Sequence, residues 1–176
     1  ANGNLSGDGV KTYVWDGANR LLAVREGPNT LASFTYGASG ARVSKAAGAA
    51  TSTYVYDGAQ FLEERASGGA TIRYAYGPAI DRTLAQIGGG TTTYNVADQL
   101  GSVVRATNSL GNATLTRAYD PWGNLLEGSA TSGYASTGRE WDAEIGLYYY
   151  RARYYAAHLG RFVSEDPIAP DAGPNL

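Results

Sequence analysis

An aromatic residue recurs in this chain at intervals of about twenty, each time just ahead of a turn: Trp15, Tyr36, Tyr56 and Tyr76, spaced 21, 20 and 20. The segments that carry it are "TYVWDGANRLLAV" from Thr12, "SFTYGASGARVSK" from Ser33, "TYVYDGAQFLEER" from Thr53 and "RYAYGPAIDRTLA" from Arg73. In each, an aromatic-rich extended run reaches a turn at Asp-Gly, Gly-Ala or Gly-Pro, and a second extended run follows. Looser copies appear in "TTTYNVADQLGSVVRA" and "RAYDPWGNLLE". Twenty residues is too short for a helical-hairpin repeat and fits two strands with their turns. The period predicts an all-β chain, a long antiparallel meander that must curl or close to protect its edges.

Turn chemistry agrees with this. Repeat turns are expected at Asp16-Gly17, at Asp57-Gly58 and between Asp120 and Gly123, where glycine accepts positive φ and aspartate caps the turn locally. "EGPN", "ASGGA" and "GGG" read as the connections at the opposite side. Tyr54 and Tyr56 share one face of their strand and Val55 takes the other. Nothing shows sustained helical periodicity, although "REWDAEIG" is compatible with a short helical turn ended by Gly146. Residues 1–130 form the regular repeat region and residues 131–176 a denser C-terminal segment, together one continuous domain.

Composition narrows the function classes. With 24 glycines and 14 tyrosines against 3 phenylalanines, the aromatic mass carries hydroxyls that need partners, which suits half-wet sheets. A net charge of -2 provides no global field for nucleic acid. No apolar run is long enough for a helical membrane span. Without cysteine, and with one histidine, disulfides and multi-histidine metal centres are excluded, and no cofactor is expected. His158 has no nucleophile elbow beside it. Gly88 to Gly90 lack the Lys-Ser/Thr of a phosphate loop, and "SGDG" has too few acids for a calcium loop. A start at Ala1 and the absence of methionine suggest an internal piece of a longer polypeptide.

"GLYYYRARYY", Gly146 to Tyr155, is the densest cluster of rings and guanidinium groups. Taken as one strand, it puts Leu147, Tyr149, Arg151, Arg153 and Tyr155 on one face and Tyr148, Tyr150, Ala152 and Tyr154 on the other. Arg151 and Arg153 would lie on tyrosine rings and pair with Asp142, Glu144 or Asp166. Three uses are open: a structural sheet, a carbohydrate-binding face of exposed rings, and a nucleic-acid groove. The last is disfavoured by the acidic balance.

The repeats resemble the tyrosine-aspartate (YD) repeats of Rhs proteins, bacterial polymorphic toxins related to the C component of insecticidal toxin complexes and to teneurins. "VYDG" and "VWDG" carry the repeat cue. "ADQLGSVVRATNSLGN" is similar to the family's Asp-His-Leu-Gly-Ser segment, and "AYDPWGNLL" to its Tyr-Asp-Pro-Phe/Trp-Gly element. "TGREWDAEIGLYYYRARYYAAHLGRFVSEDP", Thr137 to Pro167, resembles the C-terminal signature of the Rhs core. The resemblance implies part of a hollow β shell, or cocoon, around a C-terminal effector, with the signature segment as cap or plug. Tyr148, Tyr149, Tyr150, Arg151, Arg153, Tyr154 and Tyr155 would then stack within the wall in place of an oily core.

The resemblance also implies aspartyl-type self-cleavage between shell and effector, since paired carboxylates activate water against a peptide carbonyl. Asp166 is the first candidate, Asp171 a second, with Arg161 as electrostatic partner. Ala156-Ala157 depart from the family's usual Asp-Pro. Partners implied are the rest of the polypeptide, carbohydrate and copies of the chain through open sheet edges; the location implied is secreted or cell-surface. A YD-repeat adhesion scaffold and a carbohydrate-binding module are the alternatives.

Overall fold

A computed structural model describes residues 3–167. Among these the chain forms seventeen strands in two antiparallel sheets. The larger sheet runs in sequence order through β1 (Lys11–Trp15), β2 (Leu21–Glu26), β3 (Asn29–Tyr36), β4 (Arg42–Ala47), β5 (Ala50–Asp57) and β6 (Gln60–Ala66). It continues through β7 (Thr71–Tyr76), β8 (Thr83–Gly88), β9 (Thr91–Ala97), β10 (Val103–Thr107), β11 (Ala113–Tyr119) and β12 (Leu125–Gly128). Every strand pairs with the next, and β1 does not meet β12, so the twelve strands form an open wall.

Side chains build several of the turns. Asp16, Asp98, Asn108 and Asp120 each accept, on one Oδ1, the backbone N–H groups two and four residues on, at 2.8–3.0 Å. This satisfies donors that a five-residue turn leaves free. Asp57 instead ends β5 opposite Gln60, around a two-residue turn with Gly58 at φ 57°. Gly17 lies in the Asp16 turn, and Gly123 donates its N–H to the Asp120 carbonyl at 3.0 Å.

The repeat has a second, less visible element. Where each even-numbered strand of the wall begins, the register slips by one residue: Leu22, Val43, Leu62, Leu84, Val104 and Leu126 are the extra residues of six β-bulges. Each is aliphatic and at least partly exposed. The residue before it turns inward: Leu21, Arg42, Phe61, Thr83 and Val103 are all buried. A bulge disrupts the ladder and leaves backbone groups without strand partners. The repeat tyrosine supplies one. Tyr36 donates its hydroxyl to the Leu21 carbonyl (2.7 Å), Tyr56 to Arg42 (2.8 Å), Tyr76 to Phe61 (2.6 Å) and Tyr119 to Val103 (3.1 Å). At four of the six bulges a tyrosine of a later repeat thereby locks the bulge before it, which is why the aromatic there is tyrosine and not phenylalanine.

The smaller sheet has the order β13 (Gly133–Tyr134), β14 (Glu140–Asp142), β15 (Leu147–Tyr150), β16 (Arg153–Ala156) and β17 (Arg161–Phe162). It touches the wall along its whole width. Lys11 Nζ donates to the Ile145 carbonyl (2.6 Å), Val103 N to Ala135 (3.0 Å) and the Tyr148 hydroxyl to Gly123 (2.7 Å). Contacts from β1 to the turn before β12 require the wall to curl around the small sheet, which fills the hollow as a plug. The repeat meander curling into part of a β shell is thus the observed architecture.

Three details correct the sequence reading. "GLYYYRARYY" is not one strand but the hairpin of β15 and β16, with Arg151 at φ 61° in a two-residue turn. Tyr148 faces Tyr155, Tyr149 faces Tyr154 and Tyr150 faces Arg153, so the two arginines do not lie side by side on one strand face. "REWDAEIG" forms β14 and a tight turn closed by Ile145 and Gly146 N–H groups on the Asp142 carbonyl, because pairing with β13 and β15 outweighs local helix propensity. Nor does the molecule lack an oily core: Leu21, Val24, Phe34, Ile145, Leu147 and Val163 pack with Tyr149 and Tyr154 between β1–β4 and the plug.

Candidate functional site

The seam between wall and plug is held by charges that the repeat places there. Arg42 occupies the inward bulge position where other repeats carry leucine, phenylalanine, threonine or valine, and only 1% of it is exposed. Its guanidinium forms an ion pair with Asp142 of β14 and donates to the Tyr154 hydroxyl at 3.1 Å. It lies 4.1 Å from the ring centre of Tyr149 and 5.0 Å from that of Tyr54. Its backbone N–H donates to the Tyr149 hydroxyl at 2.9 Å. Burial opposes the positive charge, but Asp142 and the surrounding phenols outweigh it and hold the guanidinium protonated. Lys45, also on β4, reaches the other Asp142 oxygen at 2.8 Å and Glu144 at 3.3 Å. Its ammonium is likewise held above the ordinary range, Asp142 overcoming burial.

A second clamp joins the plug to the turn before β8. Asp81, at φ 63°, pairs with Arg139 at 2.7 Å and with Arg151, whose Nε also donates to the Ala59 carbonyl at 2.8 Å. Gly138 allows this approach, since a Cβ there would stand 2.4 Å from the Asp81 carbonyl oxygen. Arg117 of β11 holds the strand linking wall to plug, donating to the carbonyls of Ser129 (2.7 Å), Thr131 (2.5 Å) and Tyr134 (3.0 Å). Opposite Val103, Ala97 stands where the other repeats carry tyrosine or, at Trp15, tryptophan, and here the plug docks directly, through the Ala135 carbonyl.

Tyr148, Tyr149 and Tyr154 are buried and form no solvent-facing platform for a sugar ring. Tyr148, Tyr150 and Tyr155 pack on the other face of the hairpin, with Trp141 and Phe162. Arg153 lies 3.8 Å over the Phe162 ring and pairs with Asp166 at 2.6 Å. Arg161 is exposed, its Nε donating to the neighbouring Phe162 carbonyl at 3.3 Å. Asp171 lies outside the described residues. Ala156, the departure from the family's aspartate, is fully buried in the apolar core.

Sequence reasoning named Asp142 as a partner for the signature arginines, and it missed Arg42, Lys45, Glu140 and Asp81. The signal was present: Arg42 is the cation standing at a repeat position otherwise uncharged. Among the described residues no cluster of acids and histidine is placed to hold a metal, and no helix is long and apolar enough to cross a membrane.

No family model matches the chain. It is 32% identical over 185 residues to the tRNA3(Ser)-specific nuclease WapA of Bacillus spizizenii, a match covering 99% of this chain and 8% of that protein. It is 50% identical over 38 residues to the toxin protein Tse5 of Pseudomonas aeruginosa, covering 22% of this chain and 3% of the relative. The fold superposes on the crystal structure of TcdB2-TccC3-Cdc42 with a TM-score of 0.72 at 20% identity, covering 90% of this chain and 9% of that one. The chain therefore spans less than a tenth of the length of these relatives. Its repeated tyrosine lock, its open twelve-stranded wall and the plug the wall wraps give it the fold of that toxin-complex structure, and its repeats resemble those of the YD-repeat Rhs proteins.

Proposed function

We propose that this chain is an arc of a toxin-encapsulating β shell, in which residues 1–130 form wall and residues 131–176 plug it, with an effector segment of the same polypeptide held inside. One observation carries the reading: the plug is tied to the wall from β1 to the turn before β12 by buried charges and hydrogen bonds, an investment suited to a container. The nuclease and toxin names among the relatives support a component of a polymorphic toxin that is secreted or displayed at the cell surface. The test is to express the chain with its natural downstream sequence and ask whether that segment resists protease until the wall is unfolded. Digestion of the segment at the same rate with the wall folded overturns the reading.

Self-cleavage at the end of the core is the finer part of this proposal. Asp166, which pairs with Arg153 at 2.6 Å, would act as one carboxylate, with Arg161 nearby and Asp171 as the second acid. A longer chain carrying Asp166→Asn is expected to remain uncut. Processing of that variant at the normal rate would sink the assignment.

A further inference from the structure

Beside the Arg42 seam a cavity of about 210 Å³ opens between the wall and β13–β14 of the plug, and Glu140 lines it. Glu140 and Asp142 lie two apart on β14 and so face the same way, but only one of them is neutralised. Both cations of β4, Arg42 and Lys45, are placed on Asp142, and among the described residues no cation stands within salt-bridge distance of the Glu140 carboxylate. The groups around Glu140 on the other elements do not replace a counter-charge. Tyr54 and Tyr56 approach from β5, Tyr74 and Tyr76 from β7, Tyr134 from β13 and Tyr149 from β15. From β6 comes a further acid, Glu64, which accepts the Tyr74 hydroxyl at 3.0 Å. Arg139, preceding Glu140, is committed to Asp81.

We propose that Glu140 is a proton latch between wall and plug. Protonated, it sits among the phenols as a neutral hydrogen-bonding group and the sheets stay docked; ionised, it places an uncompensated negative charge beside Asp142 and Glu64 and loosens them. Burial, only partly offset by Arg42, raises the carboxyl from the ordinary 4.5 to about 7. A group whose folded pKa is raised keeps more protons folded than unfolded across that window, so for this acid stability is greatest below 4.5 and is lost as pH rises toward 7. The plug is thus tightest in a mildly acidic medium and loosest above neutrality.

The test compares the unmodified chain with Glu140→Gln, which mimics the protonated form, by urea unfolding at several pH values from 5 to 8. The ratio of their unfolding constants is expected to change by on the order of 100-fold across that range, the unmodified chain weakening relative to the variant. Cleavage at the 129–132 connection should accelerate with pH in the unmodified chain more than in the variant. A ratio independent of pH overturns the proposal. If the variant fails to fold, carboxyl NMR of the unmodified chain decides alone: a Glu140 midpoint near 7 supports the latch and one between 4 and 5 overturns it. Neither readout depends on what the shell encloses.

Discussion

The hydroxyl of Tyr56 donates to the backbone carbonyl of Arg42, 2.8 Å away and one repeat earlier. The same bond recurs from Tyr36, Tyr76 and Tyr119, so at four of the six bulges a tyrosine hydroxyl closes the ladder that the bulge has opened.

Removing that hydroxyl while keeping the ring isolates its contribution. Tyr56→Phe and Tyr76→Phe are each expected to destabilise the chain by about 1–3 kcal/mol, since a buried carbonyl loses its donor. Tyr94→Phe, on a ring 47% exposed, should change stability by less than about 0.5 kcal/mol. Urea unfolding midpoints of the three variants check this.

At the seam, Asp142→Asn strands two cations, Arg42 and Lys45, in a buried setting. A loss of about 3–5 kcal/mol is expected, the cost typical of breaking a buried pair by removing one partner. Calorimetry should show a large drop in Tm. A Tm within a degree or two of the unmodified protein would mean that the ion pair does not hold the plug.

Asp81 clamps two arginines of the plug from a single turn. Asp81→Asn is expected to cost about 1.5–3 kcal/mol, the range for hydrogen bonds to charged groups. A double-mutant cycle with Arg139→Gln should give a coupling of at least about 0.5 kcal/mol. Additivity would place Arg139 outside the clamp.

Near the start of β1, Asp8 accepts the Tyr13 hydroxyl at 2.7 Å and the N–H groups of Val10 and Lys11. Burial raises its carboxyl, but these bonds and the Lys11 charge outweigh burial and bring it down to about 2. Because the folded value is depressed, its stabilisation is complete above the ordinary 3.8 and is lost as pH falls through about 2. Carboxyl NMR should find Asp8 titrating well below the exposed aspartates, and Tyr13→Phe should raise its midpoint.

The twenty-residue period carried the meander into view because each repeat writes its turn and its aromatic locally: Trp15, Tyr36 and Tyr76 end their strands and Tyr56 stands one residue before the end of its own. Bulges were written too, as the inward-outward pairs Leu21-Leu22, Phe61-Leu62 and Val103-Val104, but their register needs the partner strand to be read. The hairpin in "GLYYYRARYY" was not legible, since Arg151 takes a positive φ without the glycine or asparagine that normally announces it.

What the sequence by itself determined is the wall: strand length, turn chemistry and the recurring aromatic are local properties, and its twelve strands pair only with chain neighbours. Tertiary structure alone decided the seam. Arg42 and Asp142 lie 100 residues apart, and nothing in either neighbourhood specifies the other. Only the curl of the wall around the plug brings them together, and there exclusion of water makes one ion pair decisive and leaves Glu140 outside it, its charge only partly offset by Arg42.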